Sequence, residues 1–226
     1  GGPRNGAVAA NVGSTYLLMR TMSGWSTTAA QNIFMSSSDL ATWTNRTITV
    51  APNITGYNEF AISGIAGGGT LGRFVALITH ETIFCCTRYG LRPNTATSTD
   101  GATWDFTNSL FSISANNSGY RTDSVIISPT IAGTTGGFIV THGNTAFFSA
   151  NGQGWSDISA NLRTALGFSA GANISNSQLF YTVYSANNQF IIPTKGSKFL
   201  VSTSANGANG NWSVSYTHLR AHETRE

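Results

Sequence analysis

Four times along the chain a hydroxyl and an acid or amide two residues apart, followed in three of the copies by glycine, run into a tryptophan. This recurrence constrains the fold more than any other feature. The copies are Ser37, Asp39 and Trp43; Ser98, Asp100, Gly101 and Trp104; Ser149, Asn151, Gly152 and Trp155; and Ser204, Asn206, Gly207 and Trp212. Their Asp or Asn positions lie roughly 50 to 60 residues apart, the mark of a repeat architecture. Upstream of each box stands an apolar, aromatic-led run: "TYLLM", "RFVALI", "GFIVT" and "QFIIPT". Before that comes another apolar run ending in Gly, Ala or Asn, and after each tryptophan a short β-prone piece. β-branched and aromatic residues between Gly and Asn turns read as strands throughout. Each module therefore predicts strand a, turn, strand b, loop, strand c, box, strand d. Modules at about 6–50, 58–107, 122–162 and 179–213 predict an all-β chain, a β-propeller fragment of about four four-stranded blades cut from a larger ring. Only residues 156–167 carry a pattern fit for a short helix.

The box itself reads as turn chemistry. In "TSTDGATW", residues 97–104, the Asp carboxylate can accept N–H groups across a hairpin turn, and the Ser hydroxyl offers a second acceptor. Gly101 permits positive φ at low cost, and Trp104 opens strand d with its ring free to cover the hairpin. Asn151 and Asn206 serve at the same position without a charge. A catalytic or calcium-binding role for the position would not tolerate that exchange.

These boxes resemble the Asp-box, or bacterial neuraminidase repeat, whose pattern is roughly Ser-x-Asp-x-Gly-x-Thr-Trp. The best copy, Ser98 to Trp104, is one residue shorter, and Leu40 stands where glycine follows the acid. The resemblance covers about residues 7–213 and implies a propeller with the boxes as structural hairpins away from the ligand face. It does not imply one function, because similar boxes occur in sialidases, other glycosidases, sorting receptors, photosystem assembly factors and phage or bacterial surface proteins.

Charged residues make up only 9% of the 226, against about a quarter in ordinary domains. Solubility must come from Ser, Thr, Asn and Gly, a mix typical of exported or virion-surface β proteins. An extracellular or virion-surface location is the expectation. The net charge is +3, but the basic residues are scattered singly, so no phosphate-binding face forms and nucleic acid is excluded as a partner. Cys85 and Cys86 are neighbours whose side chains point to opposite faces of a strand, giving neither a disulfide framework nor metal-ligand spacing. No apolar run reaches the length of a membrane span. Residues 214–226 break the composition abruptly, and "VSYTHLRAHET" within them resembles a translated sequencing adapter. The segment is expected to be a non-native tail, and its His218 and His222 are set aside as metal ligands.

No catalytic residue is assigned. A sialidase-like site needs an arginine triad, a Tyr–Glu pair and an Asp acid, and the usual early Arg-Ile-Pro motif is absent. Outside the tail, the boxes and the strand d positions Asp105 and Asp157, the carboxylates left for acid/base work are Glu59, Glu81 and Asp123. Zinc spacings, P-loops and dinucleotide fingerprints are missing, so no metal or cofactor is expected. Hairpin topology puts the b–c turns and d–a connections on the end opposite the boxes. There Thr79-His80 rhymes with Thr141-His142, "NITGYN" with "NNSGYR", and Arg163 falls in the third d–a connection. Tyr57, His80, Tyr120, Arg121, His142 and Arg163 are therefore the ligand-face candidates, suited to a glycan. The expected role is a non-catalytic binding or structural propeller whose partner is a glycan or another surface or virion protein. The alternative is a sialidase-like glycoside hydrolase with catalytic residues in further blades.

Overall fold

The computed structural model describes residues 9–19, 24–26, 31–48, 59–84, 87–106, 130–169, 179–180, 182–194, 197–208 and 212–216. Strands β1 (Ala9–Val12), β2 (Thr15–Met19), β3 (Gly24–Ser26), β4 (Gln31–Ser37) and β5 (Thr44–Ile48) come first. Next are β6 (Glu59–Gly68), β7 (Arg73–Phe84), β8 (Thr87–Ser98) and β9 (Asp105–Phe106). Then follow β10 (Thr130–Thr134), β11 (Gly137–His142), β12 (Thr145–Ser149), β13 (Ser156–Asp157) and the helix α1 (Ser159–Ala165). The last group is β14 (Tyr184–Ala186), β15 (Gln189–Thr194), β16 (Lys198–Ser202) and β17 (Trp212–Tyr216).

They pair as four antiparallel meanders: β1-β2-β4-β5, β6-β7-β8-β9, β10-β11-β12-β13 and β14-β15-β16-β17, with β3 added to the inner edge of the second. The first strand of each sheet lies beside the first strand of the next, β1 by β6, β6 by β10 and β10 by β14. Successive four-stranded sheets arranged about their inner strands are consecutive blades of a β-propeller. The inner strands approach so closely that a Cβ at Gly67 would strike the carbonyl oxygen of Asn11, and one at Gly133 that of Gly67.

Strand b shows why these runs are apolar on both faces. Phe74, Phe138 and Phe190 are fully buried toward the preceding blade, while Leu17, Val75 and Ile139 are fully buried toward the following one. Each such side chain contributes roughly 1.5–3 kcal/mol by leaving water. The blades are thus glued by hydrophobic layers, one between the first two sheets, one between the second and third, and one between the third, α1 and the fourth.

Several details depart from the expected modules. β3, lying in the first b–c connection, crosses to pair with β6, Trp25 opposite Phe60 and Ser26 opposite Glu59. β7 and β8 run twelve residues each, so Thr79 and His80 lie within a strand and not in a turn. The β-branched and aromatic run "ITHETIF" carries pairing onward to Phe84 opposite Thr87. Strand a of the fourth blade is only Tyr184–Ala186, preceded by a single bridge from Phe180 to Thr194. Residues 214–216 belong to β17, where Val214 pairs with Leu200 and Tyr216 with Lys198; residues 217–226 lie outside the described residues.

Candidate functional site

At one end of the blades stand the four boxes, and their hydrogen bonds close on themselves. Ser37 Oγ donates to Asp39 Oδ1 at 2.9 Å, the Leu40 N–H donates to Ser37 Oγ at 2.8 Å, and the Ala41 and Thr42 N–H groups donate to Asp39 Oδ1 at 2.9 and 2.8 Å. The second box repeats this: Ser98 Oγ to Asp100 Oδ1 at 3.0 Å, Gly101 N–H to Ser98 Oγ at 2.8 Å, and Ala102 and Thr103 N–H to Asp100 Oδ1, both at 2.8 Å. In the third, Asn151 Oδ1 takes the Gln153 N–H at 2.9 Å and Ser149 Oγ the Gly152 N–H at 2.9 Å. In the fourth, Asn206 Oδ1 accepts the Ala208 N–H at 2.8 Å, and Ser204 Oγ the Asn206 N–H at 3.3 Å. The indoles of Trp43, Trp104 and Trp212 donate to the carbonyls of Leu40, Gly101 and Gly207 at 3.1 to 3.3 Å.

The boxes also couple neighbours. Trp104 stacks on Phe34 of the first blade, with centroids 5.1 Å apart. At the equivalent place one blade on, Trp155 donates from Nε1 to Thr95 Oγ1 at 3.1 Å. Gln153 Nε2 reaches Asp105 Oδ2 at 3.2 Å, and the Ser159 N–H donates to Asp157 Oδ1 at 2.8 Å. Electrostatics follows from these donors. The backbone N–H groups of Thr42 and Ala41, with the Ser37 hydroxyl, hold the Asp39 carboxyl down to about 2. At Asp100 burial pushes upward, but the Thr103 and Ala102 N–H groups and the Ser98 hydroxyl outweigh it, and this carboxyl too lies below its ordinary value. Such groups are ionised and occupied as turn acceptors, which is unsuited to proton transfer near neutral pH.

The opposite end differs from blade to blade. In the third blade the b–c turn is short, Gly143 and Asn144 between β11 and β12. Thr145 Oγ1 donates to the His142 carbonyl at 2.8 Å, and the buried His142 lies inside the blade end. Arg163, in the last turn of α1, donates from Nη1 to the Asn144 carbonyl at 3.3 Å. The Leu179 N–H donates to Asn144 Oδ1 at 2.8 Å and the Phe180 N–H to the Gly143 carbonyl at 3.0 Å. The fold therefore brings His142 and Arg163 to one turn, with Arg163 serving to clamp it.

In the second blade this end is raised. β7 and β8 stay paired through five residue pairs past Thr79, from His80 opposite Arg92 to Phe84 opposite Thr87, with a bulge between Glu81 and Thr82 that leaves Gly90 without an opposite number. At about 3.4 Å per residue the ribbon projects some 15 Å. At its base one register row crosses four strands. Trp25 stands opposite Phe60, and His80 opposite Arg92, while Phe60 and His80 each lie one residue beyond the Ala61–Thr79 pair.

His80 is thus the sequence-derived candidate that falls in the raised sheet, whereas its register neighbours Trp25, Phe60 and Arg92 carry no repeat signal and are not among the sequence-derived candidates. Glu59 and Glu81 occupy β6 and β7. Tyr57, Tyr120, Arg121, Asp123, Cys85 and Cys86 lie outside the described residues. Among the described residues no three His, Cys, Asp or Glu side chains converge on a point where a metal could sit, and no helix is long and apolar enough to cross a membrane.

No protein-family model matches the chain, and neither does any curated protein sequence. Solved structures similar to it include YCF48 bound to D1 peptide (10% identity, TM-score 0.43), with 92% of this chain and 53% of that one covered. Bombyx mori GH32 beta-fructofuranosidase BmSUC1 is 12% identical with a TM-score of 0.43, covering 92% and 47%. Zg3597, a family 117 glycoside hydrolase from the marine bacterium Zobellia galactanivorans, is 10% identical with a TM-score of 0.49, covering 92% and 67%. The chain spans about half the length of the first two. Its fold assignment rests on its own strand order and inner-strand contacts.

Proposed function

We propose that the chain is a non-catalytic binding propeller whose ligand is a glycan, received at the end opposite the boxes. One observation carries this reading: the register row of Trp25, Phe60, His80 and Arg92 at the base of the raised sheet. Aromatic residue types supply flat apolar surface for the carbon faces of sugars, and imidazole and guanidinium types supply donors for hydroxyl or carboxylate groups. A row built across four strands sets such residues on a rigid scaffold, which lowers the ordering cost of binding. The turn-bound Asp39 and Asp100 are not available for hydrolysis, and the described residues place no carboxylate pair in that row. The polar, charge-poor composition suits an exported or virion-surface protein, the setting in which this reading places it.

The test is a glycan array followed by calorimetry on the full chain. A bound glycan whose affinity falls at least tenfold, about 1.4 kcal/mol, in both Trp25→Ala and Arg92→Ala, with unchanged melting temperatures, supports the reading. Binding that survives both substitutions, or turnover of the glycan by the parent protein, overturns it.

A further inference from the structure

The three blade junctions share one contact, and the far side of the fourth blade presents half of it. Leu17, Val75, Ile139 and Ile191 hold the same register position, each following the aromatic residue that opens strand b. At each junction the next blade's box glycine sits on that residue. A Cβ at Gly101 would lie 2.6 Å from Leu17 Cδ1, one at Gly152 2.5 Å from Val75 Cγ2, and one at Gly207 2.6 Å from Ile139 Cδ1. Gly101 and Gly152 also hold φ of +75° and +82°, so glycine is required there twice over, by conformation and by space.

The covered residues are sealed. Ala66, Val75 and Thr97, which share one row of the second blade, are buried, as are Ala132, Ile139 and Phe148 in the same row of the third. In the fourth blade that row is Tyr184, Ile191 and Val201, with Pro193 and Phe199 in the row beside it. Tyr184 is 54% exposed, and Ile191, Val201, Pro193 and Phe199 are only partly buried. Among the described residues this face bears no charge, and its pleat continues the pattern of the three junctions already formed.

We propose that this outer face of the fourth blade is a docking surface for one further blade-type hairpin, with glycine directly after its box Asp or Asn. The glycine would seat on Ile191 as Gly207 seats on Ile139. A second copy of the chain does not fit the same way. The first box, the one of the four with no blade described in front of it, carries Leu40 at the glycine position, with φ +63° and 56% exposure. A leucine there fills the space that the other junctions leave to the isoleucine or valine of strand b.

The probe is a backbone-cyclised peptide with the sequence of residues 95–106, the second box hairpin, added to the full chain and followed by amide NMR. The expected result is saturable shifts at Tyr184, Ile191 and Val201. A Gly101→Leu peptide should bind at least tenfold more weakly, as should the original peptide to the Ile191→Asp chain. Tyr184→Asp, at an exposed position, repeats the test should the first chain variant lose its fold. Equal binding by both peptides, shifts elsewhere, or no binding at about 1 mM peptide overturns the proposal. So does concentration-dependent sedimentation of the unliganded chain that Ile191→Asp abolishes, which would make the face a contact between copies.

Discussion

The two ends of the blades obey different rules. At the box end, four turns of different composition share one hydrogen bond, from the N–H two residues on to the Asp or Asn Oδ1, and three box glycines meet the preceding blade at the same register position. At the other end, the first blade sends β3 across to its neighbour, the second rises into a ribbon, and the third closes in a clamped Gly-Asn turn. Repetition tracks the requirement common to every blade, a satisfied hairpin that seals a junction. Variation tracks what a single blade does alone. The proposed binding role is assigned to the variable end for that reason, and each end can be perturbed without touching the other.

The sharpest break is at a junction. Gly152→Val places a β-branched side chain at φ +82° and drives its Cβ to within 2.5 Å of Val75. Backbone strain and overpacking each cost about 1–3 kcal/mol, so a loss of about 3–4 kcal/mol in urea unfolding is expected. Glycan affinity of the surviving folded fraction should stay the same. A milder break is at the box carboxylate. Asp100→Ala removes the acceptor of two backbone N–H groups and one hydroxyl and should cost about 1–2 kcal/mol, as loss of a cap does. Asp100→Asn keeps the Oδ1 acceptor that Asn151 already uses and should cost 1 kcal/mol or less. Equal costs for the two substitutions would show that charge, not the acceptor, shapes the turn. Leu40→Gly works in the other direction. It relieves a left-handed leucine that is mostly exposed, and should raise stability by about 0.5–1 kcal/mol, measurable as a higher melting temperature.

Legibility in the sequence divides along the same line. Strand b and the boxes were readable because their determinants are local: an aromatic-led apolar run, a hydroxyl and acceptor two residues apart, a glycine at positive φ. Repetition multiplied each weak signal by four. β3 was not readable, since Gly24–Ser26 is three residues long and pairs with a strand some 35 residues away. The long ribbon was hidden because Thr79-His80 matched Thr141-His142 as a motif, while the continued β-prone run after it decided the structure. Arg163 is expected opposite the boxes because it falls in the third d–a connection; that it binds the Asn144 carbonyl depends on α1 packing under the turn, which no periodicity encodes. The small residues at Gly67 and Gly133 answer to a neighbouring inner strand, a contact that exists only once the blades are arranged.

The smallest effect separates the charged boxes from the amide ones. Asp39 has its folded value held to about 2, against 3.8 unperturbed, by the Thr42 and Ala41 N–H groups and the Ser37 hydroxyl, and Asp100 is lowered as well. A folded value below the unfolded one adds stability that is complete above 3.8 and is lost as pH falls from there through the folded value. The boxes at Asn151 and Asn206 have no such dependence. A double variant, Asp39→Asn with Asp100→Asn, should therefore melt slightly below the parent at pH 7, and the gap should close between about pH 4 and pH 2 in matched thermal scans. The shift at Asp39 comes from short hydrogen bonds at an exposed site rather than from distant charges, so added salt should leave the gap at pH 7 largely in place. A gap that persists at pH 2 would mean that the asparagine turn is geometrically poorer whatever its charge. The first bond is nearly equal in the two turns, 2.9 Å from the Gln153 N–H to Asn151 against 2.8 Å from Ala102 to Asp100, but the second is longer at the asparagine, 3.4 Å from the Gly154 N–H against 2.8 Å from Thr103, so any residual gap measures that longer bond.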